Sequence, residues 1–200
     1  ADAIAQADSL AKHPDMASIA GIFQKKHPFL VHTAGARDTY GTVRMFQLEA
    51  GVPVVVSHGS FNGFAVGKEL AAVNARLNIG PRNFDFSVAK NAQIRGLVEA
   101  YESAGNTDIS IQTDASVIPQ EEYVYQATLA ERLGCSTWIA LESINVRPAS
   151  QIQIDDRLGR LAVGLRADLV VSSGQPLDPR AAVELVIISG EVVYDISDGQ

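Results

Sequence analysis

Three polar residues close apolar runs in this chain. His32 ends "PFLVH" (28–32), His58 ends "VPVVVSH" (52–58) and Asp114 ends "DISIQTD" (108–114). Singly, each has an ordinary explanation. A buried histidine is more often a packing residue with one satisfied hydrogen bond, and an aspartate before Ala-Ser serves as a turn or cap residue. Together they point to chemistry. Two imidazoles and a carboxylate suit a borderline-soft divalent ion, zinc foremost, with a position left open for water. Such an ion brings the pKa of water toward neutrality, and a neighbouring aspartate can take the proton. That is hydrolytic machinery. His13 and His27 lie in polar stretches and read as surface residues.

The three residues are 26 and 56 positions apart in sequence, so a fold must bring them together. Strand-like runs at 28–32, 52–58, 75–80 and 108–114 alternate with helical patterns. The first pattern, "ARDTYGTVRMFQLEAG", has Asp38 or Thr39 as its cap, Val43, Phe46 and Ala50 on one face, and Gly51 as its stop. "GFAVGKELAAVN" reads as a shorter helix and "FDFSVAKNAQIRGLVEAYESAG" (84–105) as a long amphipathic one. Pro119 opens a further helix, where its missing N–H costs nothing, and Ser136 caps another through about Asn145. Near-continuous apolar strands separated by helices imply a parallel sheet covered by those helices. In such folds the carboxyl ends of the strands share one rim, which carries the active site. "GPRNF" (80–84) follows the third strand, so Arg82 and Asn83 are candidates to bind a substrate carboxylate or carbonyl there. The ordinary reading is that Asn83 caps the next helix and Arg82 is solvated.

After about residue 150 the texture changes. "GRLAVGLRADLVVSSGQPLD" and "AAVELVIISGEVVYD" are glycine-punctuated β segments, and "ISGEVVY" has the pattern of a hairpin. The chain therefore divides into an α/β part over 1–150 and a β part over 151–200. The opening "ADAIAQADSLAKH" reads as the middle of a helix, so a longer parent chain is expected and the compartment is left open.

Composition excludes several classes. A net charge of −7 with only "QKKHP" as a basic cluster argues against nucleic-acid binding. No apolar run approaches a membrane span of about 20 residues. The single Cys135 rules out an intrachain disulfide and reads as a small packing residue; Tyr123 and Tyr125 read as helix packing. There is no G-x-S-x-G elbow at Ser60, no glycine-rich phosphate loop and no H-E-x-x-H.

The run "TDASVIPQEEYVYQATLAERLGCSTWIALESINVRPASQIQIDDRLGRLAVGLRADLVV", with "ISGEVVY" after it, resembles the C-terminal portion of the metal-dependent amidohydrolases, imidazolonepropionase-like and dihydroorotase-like members foremost. "RPAS", "GRLAVGLRADLVV" and "ISGEVVY" carry the likeness, with Gly164, Ala167 and Asp168 on the tail motif and Asn145 where threonine is usual. The resemblance, over roughly 28–195, implies strands five to eight of a (β/α)8 TIM barrel plus strands of a small composite β-sandwich. It makes His32 the strand-five metal ligand, His58 a strand-six ligand or an oxyanion-side donor, and Asp114 the strand-eight ligand and general base. It implies hydrolysis of a C–N bond in a small-molecule amide or cyclic amide, with one or two zinc-like ions. The family's first-strand H-x-H and strand-four lysine are expected in an N-terminal half, from the same or an associated chain. A homo-oligomer stays open, and a non-catalytic barrel-derived scaffold is the alternative.

Overall fold

A computed structural model of the chain describes residues 8–87 and 93–198. The helix expected at the very start lies mostly outside them.

Four parallel strands form the central sheet: β1 (Phe29–His32), β2 (Val54–His58), β3 (Arg76–Ile79) and β6 (Ile109–Ile111), in the order β1-β2-β3-β6. Their segments are short and rich in β-branched residues, and each is followed by helical chain that returns over one face. α1 (Ala17–Phe23) precedes β1. α2 (Ala36–Thr42) runs on as a π-helical turn over Val43–Glu49, and Gly51 at φ +63 ends it. α3 (Gly67–Ala72), α4 (Leu97–Ser103), α5 (Tyr123–Arg132) and α6 (Thr137–Glu142) complete the layer, and α7 (Val146–Gln151) follows, its Gln151 reaching Ser110. Neither Asp38 nor Thr39 caps α2; the cap is Gly35, and the Thr39 hydroxyl donates back to the Gly35 carbonyl at 2.8 Å. Ser136 does cap α6, accepting the Ile139 N–H at 3.3 Å.

The register sorts the two faces of this sheet. Val56, Leu77 and Ile109 pair in one row and lie under the helices, fully buried. The next row, His32–Ser57–Asn78–Ser110, crosses all four strands on the opposite face. That face is polar. Gln112 donates to Ser57 Oγ at 2.9 Å, Asn78 to Ser110 Oγ at 2.7 Å, and Ser110 to Gln151 Oε1 at 2.6 Å. The helix-side core continues through Leu70, Leu97, Tyr101, Ala127, Ala130 and Ile139. Cys135 belongs to it, as expected, and burial pushes its thiol up to about 12. Tyr123 packs against this core, whereas Tyr125 is 53% exposed and does not.

The long helix expected over 84–105 is not there. β4 (Phe84–Ser87) and β5 (Gln93–Gly96) form an antiparallel pair, and only Leu97–Ser103 is helical; 88–92 lie outside the described residues. The alternation of Phe84 and Phe86 around Asp85 fits a strand better than a helix. Gly96 lets the end of β5 pack closely on Leu133, since a Cβ there would lie 2.8 Å from that of Leu133.

The tail folds as an antiparallel sheet of β7 (Leu169–Ser172), β8 (Val183–Ile188) and β9 (Glu191–Asp195). Ser189 and Gly190, both at positive φ (54° and 85°), make the tight β8–β9 turn. The architecture is α/β, half of an eight-stranded barrel with additional antiparallel strands.

Candidate active-site rim

Strand alternation alone would not bring the two histidines together. His32 lies in the polar row, opposite Ser57. His58, one residue past Ser57, should point with Val54 and Val56 toward the helices. Its ring nevertheless lies 4.0 Å from the His32 ring, centroid to centroid, tilted by 53°. The cause is local: His58 has φ +74, a left-handed conformation that breaks the alternation at the last residue of β2.

Three of the next four residues share that unusual region, with Gly59 at φ +58, Phe61 at +51 and Asn62 at +67. Each non-glycine residue held there costs roughly 1–3 kcal/mol and persists only when its surroundings over-determine it. The surroundings do so. Gly80 N–H donates to the His58 carbonyl at 3.2 Å, Gly35 N–H to that of Ser60 at 3.1 Å, and Ser60 Oγ to that of Gly80 at 3.2 Å. The buried Tyr101 hydroxyl donates to the Gly59 carbonyl at 2.7 Å, and Asp85 accepts the Asn62 N–H at 2.7 Å. Neither Tyr101 nor Asp85 stands out in the sequence. The run "HGSFNG" was the available signal, because glycine and asparagine are the residues that tolerate positive φ.

His58 is buried, 7% exposed, whereas His32 is exposed. Burial and then the neighbouring His32 lower the His58 pKa below 6.5, against an opposing pull from Asp114 and the Gly80 backbone. His58 is therefore a neutral imidazole near pH 7, the form that ligates a metal. Asp114, also left-handed at φ +49, is exposed at the end of the β6 segment and turns the chain through its carbonyl, which accepts the Val117 N–H at 2.7 Å.

The three-donor cluster anticipated from sequence is not assembled. Among the described residues no three His, Cys, Asp or Glu side chains converge closely enough to hold a metal ion. The histidine pair has the chemistry for one; Asp114 acts on it through space and not as a third close donor. It is exposed in the turn that follows β6.

Arg82 is exposed on the loop leaving β3. Asn83 neither caps a helix nor faces the rim. It is fully buried, its Nδ2 donating to the Gln126 carbonyl at 3.3 Å and to Gln126 Oε1 at 3.4 Å. Packing against α5 outweighs its place after a strand. A separate cleft of about 1100 Å³ lies between α5, α7 and the tail; none of His32, His58 or Asp114 lines it.

Comparison with solved structures decides the fold family. An amidohydrolase from Thermotoga maritima superposes with a TM-score of 0.75 at 27% identity, covering 97% of this chain and 54% of that one. The chain has the fold of the metal-dependent amidohydrolases. Two more distant amidohydrolase-fold matches show the fold alone. A prolidase complexed with N-methylphosphonate-L-proline gives a TM-score of 0.60 at 22% identity, over 83% of this chain and 45% of that one. A variant of atrazine chlorohydrolase from Arthrobacter aurescens, complexed with zinc and atraton, gives 0.59 at 16%, over 90% and 46%. The chain thus spans about half the length of these amidohydrolase-fold structures. No protein-family profile and no curated protein sequence matches it. Among the described residues no helix is long and apolar enough to cross a membrane.

Proposed function

We propose that this chain is the C-terminal half of a metal-dependent hydrolase that cleaves a C–N bond of a small amide or cyclic amide. The observation that carries the reading is the pair of imidazoles at the carboxyl ends of β1 and β2, 4.0 Å apart, in a chain of amidohydrolase fold. Position on the rim supports it, because parallel α/β barrels carry their chemistry there. His32 and His58 would hold a divalent ion, zinc foremost, with one or two ions in the complete site. When bound, the ion supplies Lewis acidity toward the scissile carbonyl and lowers the pKa of water.

This chain's residues then have distinct tasks. The lowered pKa of His58 keeps its ring available as a ligand, or as a neutral hydrogen-bond donor to the carbonyl oxygen. Asp114 takes the proton of the attacking water as the new C–O bond forms, and returns it to the nitrogen as the C–N bond breaks. Arg82, exposed on the same loop system, would meet a substrate carboxylate.

The partner in this reading is the other half of the barrel, from the same or an associated chain. β1 and β6 are the edge strands of the four-stranded sheet, and such edges call for further strands, although at β6 the Ser143 carbonyl already accepts the Ile111 N–H at 3.1 Å. The missing half would bring the remaining donors and most of the substrate loops. A homo-oligomer is compatible with this arrangement.

The test uses the chain joined to that half. Asp114→Asn should abolish turnover on an amide panel while circular dichroism stays unchanged; full activity in that variant would end the mechanism. A non-catalytic scaffold is the second reading, favoured by the lack of a three-donor cluster among the described residues. Elemental analysis separates the two. About one or two transition-metal ions per complete unit supports the hydrolase, and none after zinc supplementation supports the scaffold.

A further inference from the structure

We propose that Tyr101 and Asp85 are positioning residues: together they clamp the 58–62 loop in its left-handed conformation and so turn the His58 ring from the helix side of the sheet to the side of His32. The argument begins with the register. His58 pairs with Ile79, whose side chain is fully buried on the helix side, yet the His58 ring meets His32 on the other side. Only the positive φ at His58 reconciles the two, so whatever holds the following peptides sets the ring.

The clamp has two jaws. From α4, the Tyr101 hydroxyl donates to the Gly59 carbonyl at 2.7 Å, one peptide past His58. From β4, Asp85 accepts the Asn62 N–H at 2.7 Å, at the far end of the loop. The fit around the phenol is tight. A Cβ at Gly59 would lie 2.8 Å from the Tyr101 hydroxyl oxygen, and one at Gly63 2.6 Å from it. Two glycines and a tyrosine therefore form a matched set in which the hydroxyl has one place to go. The β4–β5 hairpin is held to the same region on its other strand, since the Arg95 guanidinium lies 4.8 Å from the centre of the Phe64 ring. Both jaws bond backbone, the Gly59 carbonyl and the Asn62 N–H, and not an imidazole nitrogen.

The functional consequence rests on the hydrolase reading, but the conformational claim does not. The experiment compares the chain with Tyr101→Phe, which removes the hydroxyl and keeps the ring. It reads the four histidine ring signals by proton–carbon NMR at one fixed pH, alongside thermal melting and zinc titration. The His58 and His32 signals should shift or broaden, those of His13 and His27 should stay, and zinc affinity of the chain joined to the other half should fall about tenfold. A folded Tyr101→Phe chain that melts lower but leaves the His58 and His32 signals in place would overturn the proposal, because a purely structural tyrosine predicts that pattern. If Tyr101→Phe does not fold, Asp85→Ala removes the acceptor of the Asn62 N–H, opens the other jaw and is read on the same signals. Movement supports the clamp and stillness overturns it. His58 signals that move in these variants, with no zinc taken up by the unsubstituted chain joined to the other half, would sink the hydrolase reading and leave the clamp standing.

Discussion

In the parallel sheet, Val54, Val56, Leu77, Ile79, Ile109 and Ile111 are at most 2% exposed, whereas in the tail sheet Val170, Val183, Val192 and Val193 are 43–66% exposed. The side-chain types are nearly the same; what lies against them differs. Each connection between parallel strands carries a helix that returns over the sheet, so the chain supplies its own cover. The tail strands are joined by loops and a two-residue turn, which fix register through backbone hydrogen bonds but bring no second layer. Apolar residues left on an open sheet face mark a surface that another segment covers. One sheet is covered on its helix side, and the other leaves much of its apolar surface exposed.

The comparison breaks most sharply under truncation. Leu77→Ala, at a fully buried site, should cost about 2–5 kcal/mol of stability by denaturant titration. Val193→Ala, 55% exposed, should stay within about 0.5 kcal/mol in the same chain. Joined to the missing half, Val193→Ala should become measurably destabilising. Equal losses at the two sites in the isolated chain would remove the distinction.

That distinction was partly legible in the sequence, and so was the site. Continuous apolar runs such as "PVVV" announce strands buried by a second layer, and a polar residue closing each run marks the rim. What the sequence does not carry is orientation. Asn83 follows a strand as a rim residue should, yet Gln126 on α5, 43 positions later, draws its amide inward. The meeting of His32 and His58 depends on a backbone torsion maintained by Tyr101, 43 positions after His58. Asp114 follows its apolar run as the pattern expects, yet among the described residues it does not join the histidine pair in a close donor cluster. The misread helix at 84–105 shows the opposite failure: the period-two pattern of "FDFS" was visible, and the helical texture after Gly96 hid it.

A smaller effect sharpens the contrast from the helix side. Ser136→Ala removes the acceptor for the Ile139 N–H at the start of α6, whose buried Ile139 and Ala140 pack under the parallel sheet. The loss should be about 1 kcal/mol, with Ser136→Asn or Ser136→Asp retaining most of it. No change would mean that α6 is held by packing alone.

The smallest effects are in pH, and the two regions should respond in separate windows. At the rim, burial and His32 hold the His58 pKa below 6.5, so over that window the unfolded chain binds more protons than the folded one. The folded state is therefore favoured above pH 6.5 and loses that advantage as pH falls through the lowered value. In the tail, Arg180 and its backbone N–H hold the Asp178 carboxyl down at about 2, below the ordinary 3.8. Its contribution is present above 3.8 and lost as pH falls toward 2. Asp178 lies at the surface, paired with an exposed Arg180, so salt should screen that second loss, whereas the buried His58 should be little affected. Melting curves from pH 8 to pH 3 at low and high salt would show two steps, the lower one shrinking with salt. His58→Gln should flatten only the upper step; a variant that keeps it would place the titrating group elsewhere.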